Sequence, residues 1–242
     1  MRVLLVSDLH YALRQLDWVV SVAADYDLVV LAGDNLDVAS MVAPDAQVAV
    51  LLEYLSRIAA KTTVIACSGN HDLDGRNALG ERAAQWLERA RAIGVVVDGT
   101  LLETADVMVT VCPWWDGPDT RKLVDRQLSA DSELVGNRLW IWAYHAPPGA
   151  SPTSWTGKRY YGDDELAGWI AQHEPAIVLC GHVHQAPFAE GGAWLDRIGP
   201  TAVLNAGRQI GPVPTWIELD TETAWARWSS LAGVEEESLT AG

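Results

Sequence analysis

Basic side chains are scarce in this chain. Its 242 residues carry 17 Lys and Arg against 32 Asp and Glu, a formal charge of −15. A broad nucleic-acid-binding face needs clustered Lys and Arg, so the balance argues against that class of partner. Cysteine is rare too. Three residues, Cys67, Cys112 and Cys180, have no ligand-like spacing. They argue against a disulfide framework and for a reducing, cytoplasmic setting. Each closes an apolar run, as small buried hydrophobes do. No apolar stretch approaches the roughly 20 residues that span a bilayer. The opening Met1–Val6 run is cut off by Asp8 and His10 too early for a signal peptide, and it reads as a first strand. With 49% apolar and 20% charged residues, an ordinary globular composition is what is left.

Five apolar runs stand out: Arg2–Val6, Leu28–Ala32, Thr63–Cys67, Leu139–Ala143 and Ile177–Cys180. They lack clean alternation, as strands covered on both faces do. Helical spacing runs through Pro44–Ala60, with Val48, Leu51, Leu55 and Ile58 on one face and Pro44 in the first turn. Arg82–Ala92 and Asp163–His173 also read as helices, the second with acidic residues at its start and a stop at Pro175. Alternating strands and helices imply an α/β class. Two hairpins, Leu101–Glu103 with Val107–Val111 and Thr215–Asp220 with Ala224–Trp228, make the sheets mixed. Residues 1–232 read as one domain, and Gly233–Gly242, with Glu235, Glu236 and Glu237, as a frayed acidic tail.

Five of the six histidines fall just after these runs, in Asp8-Leu9-His10, Gly69-Asn70-His71-Asp72, His145 and Gly181-His182-Val183-His184; Gly33-Asp34 follows another run. His173 alone stands apart, near a helix end. Oxygen and imidazole donors suit Mn, Fe or Zn better than a soft thiolate site does. Two such ions about 3.5–4 Å apart can stabilise both ends of an in-line displacement at phosphorus. Asp8 and His10 are two residues apart, so at an extended strand end their side chains share a face; His182 and His184 have the same spacing. Asn70 and His71 are neighbours and should diverge. Spacing does not show which donors share an ion.

The ordered set Asp8-x-His10, Gly33-Asp34-x-x-Asp37, Gly69-Asn70-His71-Asp72, His145 and Gly181-His182-x-His184 resembles the calcineurin-like metallophosphoesterases, block for block, from residue 8 to 184. The resemblance implies a four-layer αββα sandwich of two mixed β-sheets flanked by helices. It also implies two divalent metal ions, with Asp8, His10 and His184 on one, Asn70, His145 and His182 on the other, and Asp34 bridging. His71 would act as general acid or transition-state stabiliser, and Asp37 would hold its tautomer. A hydroxide between the ions would attack phosphorus in line.

The expected activity is metal-dependent hydrolysis of a small phosphate ester. A phosphodiester is preferred, because nothing in the chain suggests an extra domain enclosing a small monoester. A phosphomonoesterase (nucleotidase or protein phosphatase) and a non-catalytic scaffold of the same fold are the alternatives; retention of His71 speaks against the scaffold. Asp72 reads equally as support or as a solvated cap. Among twelve tryptophans, Trp140 and Trp142 lie inside a strand and read as core, whereas Trp114-Trp115 follow Pro113 in a loop and suit either packing or a ring-binding wall. Arg14, Arg76, Lys158, Arg159 and Arg208 are candidate phosphate partners. Arg208 stands out because it follows an Asn205-x-Gly207 turn. Loops Pro113–Thr120 and Ser151–Gly162 are rich in Pro, Gly and aromatic residues and suit a substrate-shaping role.

Overall fold

The computed structural model describes residues 1–240. Strands β1 (Arg2–Val6), β2 (Leu28–Ala32) and β3 (Thr63–Cys67) alternate with helices α1 (Leu13–Val22) and α2 (Pro44–Ala59). A short hairpin, β4 (Gly75–Arg76) with β5 (Arg82–Ala83), leads into α3 (Leu87–Arg91) and β6 (Val96–Val97). Then come β7 (Thr100–Glu103), β8 (Val107–Val111), α4 (Pro118–Ser132), β9 (Leu139–Ala143), α5 (Asp164–His173) and β10 (Ile177–Cys180). The chain closes with β11 (Leu195–Ile198), β12 (Thr201–Asn205), β13 (Trp216–Asp220), β14 (Trp225–Ser230) and β15 (Gly233–Ser238).

These strands build two mixed sheets, ordered β15-β14-β13-β1-β2-β3-β6 and β11-β12-β10-β9-β8-β7. In the first, β1, β2, β3 and β6 run parallel, and β13 joins β1 antiparallel. In the second, β8, β9, β10 and β12 run parallel between two antiparallel edges.

Strand β1 shows why four layers form. Val3 and Leu5 belong to the apolar layer between the sheets, while Leu4 and Val6 pack outward among residues of α1, α2 and α3. A strand whose successive side chains point to opposite faces must be apolar throughout when both faces are covered. The second sheet mirrors this. Ile141 and Leu179 face inward, and Trp142 and Val178 face α4 and α5. The expected αββα sandwich is therefore the architecture, and no helix among the described residues is long and apolar enough to cross a membrane.

Four local expectations need correction. The helix expected over Arg82–Ala92 is confined to α3, because Arg82–Ala83 pair with Gly75–Arg76. The loop expected over Pro113–Thr120 ends at Gly117, where α4 starts with Pro118 in its first turn. This helix and α1 were not anticipated; α4 is polar and buries only Thr120, Val124, Leu128 and Asp131, a stripe too thin to stand out. His173, expected at the surface, is half-buried, edge-on to Trp140 and Trp142. The acidic tail is ordered from Gly233 to Ser238 as β15, paired along β14. Its glutamates are engaged: Glu236 lies 3.8 Å from Arg227, and Glu235 accepts the Trp194 indole N–H at 2.9 Å. The last two residues of that expected tail, Ala241 and Gly242, lie outside the described residues.

Candidate metal centre

The sequence-predicted donors gather at the carboxyl ends of parallel strands from both sheets. Asp8 and His10 follow β1, Asp34 follows β2, and Asn70 and His71 follow β3; His145 follows β9, and His182 and His184 follow β10. Open α/β sheets present ligands at this edge, where loops are free of strand pairing.

The first two loops continue beside each other past the strand ends. Asp8 N–H donates to the Gly33 carbonyl (3.0 Å), His10 N–H to Asp34 (2.9 Å) and Tyr11 N–H to Asn35 (2.9 Å). Asp8, His10, Tyr11 and Asp34 all adopt positive φ, between 43° and 57°. That region disfavours side-chain-bearing residues and persists where surrounding bonds fix it. Asp8 and His10 thus converge through two left-handed kinks, not by alternation along an extended strand end. His182 is left-handed as well (φ 65°), and it joins a different donor group from His184. Two glycines let the sheets close. Gly33 sits at φ 86°, where a Cβ would come within 2.4 Å of His145 Nδ1, and a Cβ on Gly181 would lie 2.3 Å from Asp8 Oδ2.

Three groups bring their donor atoms within 4.8 Å of one another: Asp8, His10 and His184; His10, Asp34 and His71; Asp34, His145 and His182. The groups share His10 and Asp34, so they form one continuous cluster. His184 Nε2 lies 3.1 Å from Asp8 Oδ1 and 3.2 Å from His10 Nε2. His145 Nε2 lies 3.3 Å from Asp34 Oδ2. Its other nitrogen, Nδ1, donates to the Ala32 carbonyl at 2.7 Å, the bond that directs an Nε2 lone pair into the cluster. His71 N–H donates to Asp34 Oδ1 (2.8 Å), and its ring meets His10 edge-on at 4.6 Å.

Burial and neighbouring charge compete here. Burial opposes ionisation of Asp8 and Asp34, yet the imidazoles around them outweigh it and hold both carboxyls below the usual range. Burial brings His10 and His182 down to about 4, so their rings are neutral donors at pH 7. For His145, the Asp34 and Asp8 carboxylates override burial and push it up to about 10. A cation bound there would displace that proton. The donor set fits divalent cations on a second count. Asn70 Oδ1 is buried without a hydrogen-bond partner among the described residues, a costly state for a polar atom unless something else satisfies it.

Asp37 borders the same small cavity as His71 but makes no hydrogen bond to it. Its Oδ1 accepts the Ala39 N–H at 2.9 Å, and Gln47 holds its backbone N–H and carbonyl. His71 Nδ1 has no partner among the described residues. The expected hydrogen bond between these two residues is not made here: a two-residue turn engages the Asp37 carboxylate instead. Asp72 is the buried carboxylate that ties the loops. It accepts the N–H groups of Leu36 (2.9 Å), Asn35 (3.0 Å) and Gly69 (2.9 Å) and is fully buried. Burial, with negative Asp34 nearby, pushes it up to about 7. A second such anchor lies outside the motifs. Asp98 receives the Ser68 N–H (2.9 Å) and hydroxyl (2.6 Å), and Ser68 Oγ in turn accepts the Trp114 N–H (2.9 Å).

Two clefts flank the cluster. One, of about 620 Å³, is bordered by Asn70, His182, Trp114, Trp115 and Tyr161. The other, of about 500 Å³, is bordered by His184, Gln185, Phe188, Arg208 and Gln209. Arg208 is the one candidate cation placed at the cluster's edge, its N–H donating to the His184 carbonyl at 3.2 Å. The turn before it is tied in by Asn205, whose side chain donates to Thr153 and Val183. Of the other candidates, Arg14 and Lys158 are exposed, Arg76 donates to the Gly80 carbonyl, and Arg159 stacks on Tyr161 at 5.2 Å. Tyr161 and Asp163 were not singled out from sequence; only their place beside Trp115 marks them.

A helix-flanked pair of mixed sheets thus carries a candidate metal centre at its edge. Residues 1–186 match the family model described as calcineurin-like phosphoesterase, and the chain belongs to that family of metal-dependent phosphoester hydrolases. Comparison with curated protein sequences finds no match. Among solved structures, the fold is similar to a dimetal phosphatase from Danio rerio, at TM-score 0.57 and 10% identity over 100% of this chain and 99% of that one. It is also similar to a purple acid phosphatase from yellow lupin (Lupinus luteus) seeds, at TM-score 0.57 and 11% identity over 99% of this chain and 51% of that one. At these identities the likeness is one of fold.

Proposed function

We propose that the protein hydrolyses phosphodiesters at a dinuclear centre of divalent cations, Mn, Fe or Zn. Asp8, His10 and His184 would hold one cation, Asn70, His145 and His182 the other, with Asp34 shared. Bound there, the cations supply Lewis acidity toward the phosphoryl group and a nucleophile active at neutral pH. The remaining work falls to side chains. His71, whose side chain is 26% exposed, has Nε2 3.9 Å from Asp34 Oδ2 at the open face of the cluster. From there it would hand a proton to the departing alkoxide. Asp72 and the laced loops hold His71 and Asp34 in register, so little reorganisation accompanies reaction.

The observation that carries the diester reading is the pair of clefts. A cluster open on both sides has room for two ester arms, whereas a monoester has one. Arg208 supports a second reading, a phosphomonoesterase, because a single cation beside His184 suits the extra charge of a monoester. Hydrolysis of matched nitrophenyl diesters and monoesters by metal-stripped, Mn-reconstituted protein separates them. The expected result is metal-dependent turnover with diester preference. Monoester preference overturns the substrate class, and no turnover of either would favour the scaffold alternative.

A further inference from the structure

The two clefts differ in charge as well as position. The cleft beside Asn70 and His182 is walled by rings: Tyr161 stacks on His182 with centroids 5.2 Å apart at 17°, and Trp114 lies 5.3 Å from the same imidazole. Trp115 is fixed, its indole N–H donating to Asp163 Oδ2 at 2.9 Å. Asp163 is fixed in turn by the Tyr144 hydroxyl (2.5 Å) and by the Glu165 N–H at the head of α5 (2.9 Å). The rim carries Asp116, Asp163, Asp164 and Glu165; no Lys or Arg lines the cleft itself, and Arg159 packs over the Tyr161 ring at 5.2 Å. Of these four, only Glu165 has an ion-pair partner among the described residues, Arg121.

We infer that this cleft is a subsite for an ester arm bearing an alkylammonium group. The inference rests on the phosphodiesterase reading and makes it specific. Ring faces attract a cation through their quadrupole, and unpaired carboxylates at the rim add to that attraction. A second phosphate or a carboxylate on the same arm meets the like charge of Asp116, Asp163 and Asp164, since Arg121 is taken up by Glu165 and Arg159 by the Tyr161 ring. An uncharged arm gains the ring contact but desolvates the carboxylates without replacing their water. The Arg208 cleft, opposite in sign, takes the other arm.

The test uses Mn-reconstituted protein and three 4-nitrophenyl diesters that differ in the second arm: choline, its uncharged isostere 3,3-dimethylbutanol, and 3-hydroxypropionate. The expected order of kcat/KM is choline, isostere, carboxylate, with roughly tenfold between the first two. Tyr161→Leu and Asp164→Asn should each shrink the choline-to-isostere ratio. An equal or reversed ratio overturns the subsite and leaves the phosphodiesterase reading standing. If no diester turns over, that reading has failed, and the cleft is judged without catalysis. Saturation-transfer NMR on metal-stripped protein then compares choline with 3,3-dimethylbutanol. Stronger transfer to choline, lost in Tyr161→Leu, upholds the subsite; equal transfer overturns it.

Discussion

The two sheets contribute unlike halves to the cluster. The loops after β1, β2 and β3 bring both carboxylates, Asp8 and Asp34, with His10, Asn70 and His71. The loops after β9 and β10 bring imidazoles only: His145, His182 and His184. The first half is bound to itself by backbone hydrogen bonds between neighbouring loops and by the Asp72 anchor. The second half reaches across, with His182 N–H donating to Asp8 at 3.0 Å and His145 facing Asp34. Both carboxylates are thus held by the first sheet, and the second supplies only imidazoles. Fixed carboxylates ringed by imidazoles from the opposite sheet suit cations, which would join the sheets at their common edge.

The comparison is broken most severely at Asp34, the carboxylate common to two donor groups. Asp34→Asn should lower kcat by roughly a thousandfold and cost more bound metal than His182→Ala, which removes one imidazole from the second sheet. Metal content per chain after gel filtration and the turnover of both variants check this. Equal metal loss in the two variants would show that the sheets contribute alike. His71→Ala comes next. It should lower kcat by about a hundredfold with metal content unchanged, because its role is assigned to the proton and not to the cation. Since His71 also lies within reach of His10 and Asp34, metal loss in this variant would instead make it a ligand.

A smaller effect tests the bracing of the first sheet. Burial, helped by negative Asp72 and opposed by Arg91, pushes Asp98 up to about 7 from an unfolded value near 3.8. Between those values the folded chain holds the proton and the unfolded chain has released it. Stability therefore falls as pH rises through that window and levels off above it. Asp98→Asn keeps a neutral group of the same shape against Ser68, so its stability should fall less, by about 1–2 kcal/mol between pH 5 and pH 8. Urea unfolding of both proteins at the two pH values measures the difference, and parallel behaviour would mean that Asp98 is ionised in the fold.

Much of this was legible in the sequence, for identifiable reasons. Strands buried on both faces are continuous apolar runs, so β1, β2, β3, β9 and β10 showed themselves, and with them the positions of the donors that follow. What was illegible depends on dihedrals and on long-range choice. Nothing in Asp8-Leu9-His10 announces two left-handed residues, because bonds to the Gly33–Asn35 loop impose them. Helix α4 hid because its buried face is narrow. Strand β15 hid because three consecutive glutamates read as a solvated run until Arg227 and Trp194 meet two of them.

Asp37 and Asp72 show the same limit inside the site, and they carry the smallest prediction. Both are carboxylates within the donor blocks of the sequence, and composition does not say which of them braces the cluster. The structure separates them by partner: Asp37 turns back to Ala39, while Asp72 collects N–H groups from the loops after β2 and β3. Asp37→Ala should then change kcat by no more than about twofold and stability by about 1 kcal/mol, the worth of a local turn bond. The measurement is kcat against pH for this variant beside His71→Ala. A loss matching that of His71→Ala, with a displaced pH profile, would mean that Asp37 leaves its turn in the working enzyme and reaches the imidazole. The bracing of the first sheet would then extend to the proton donor as well as to the cation ligands.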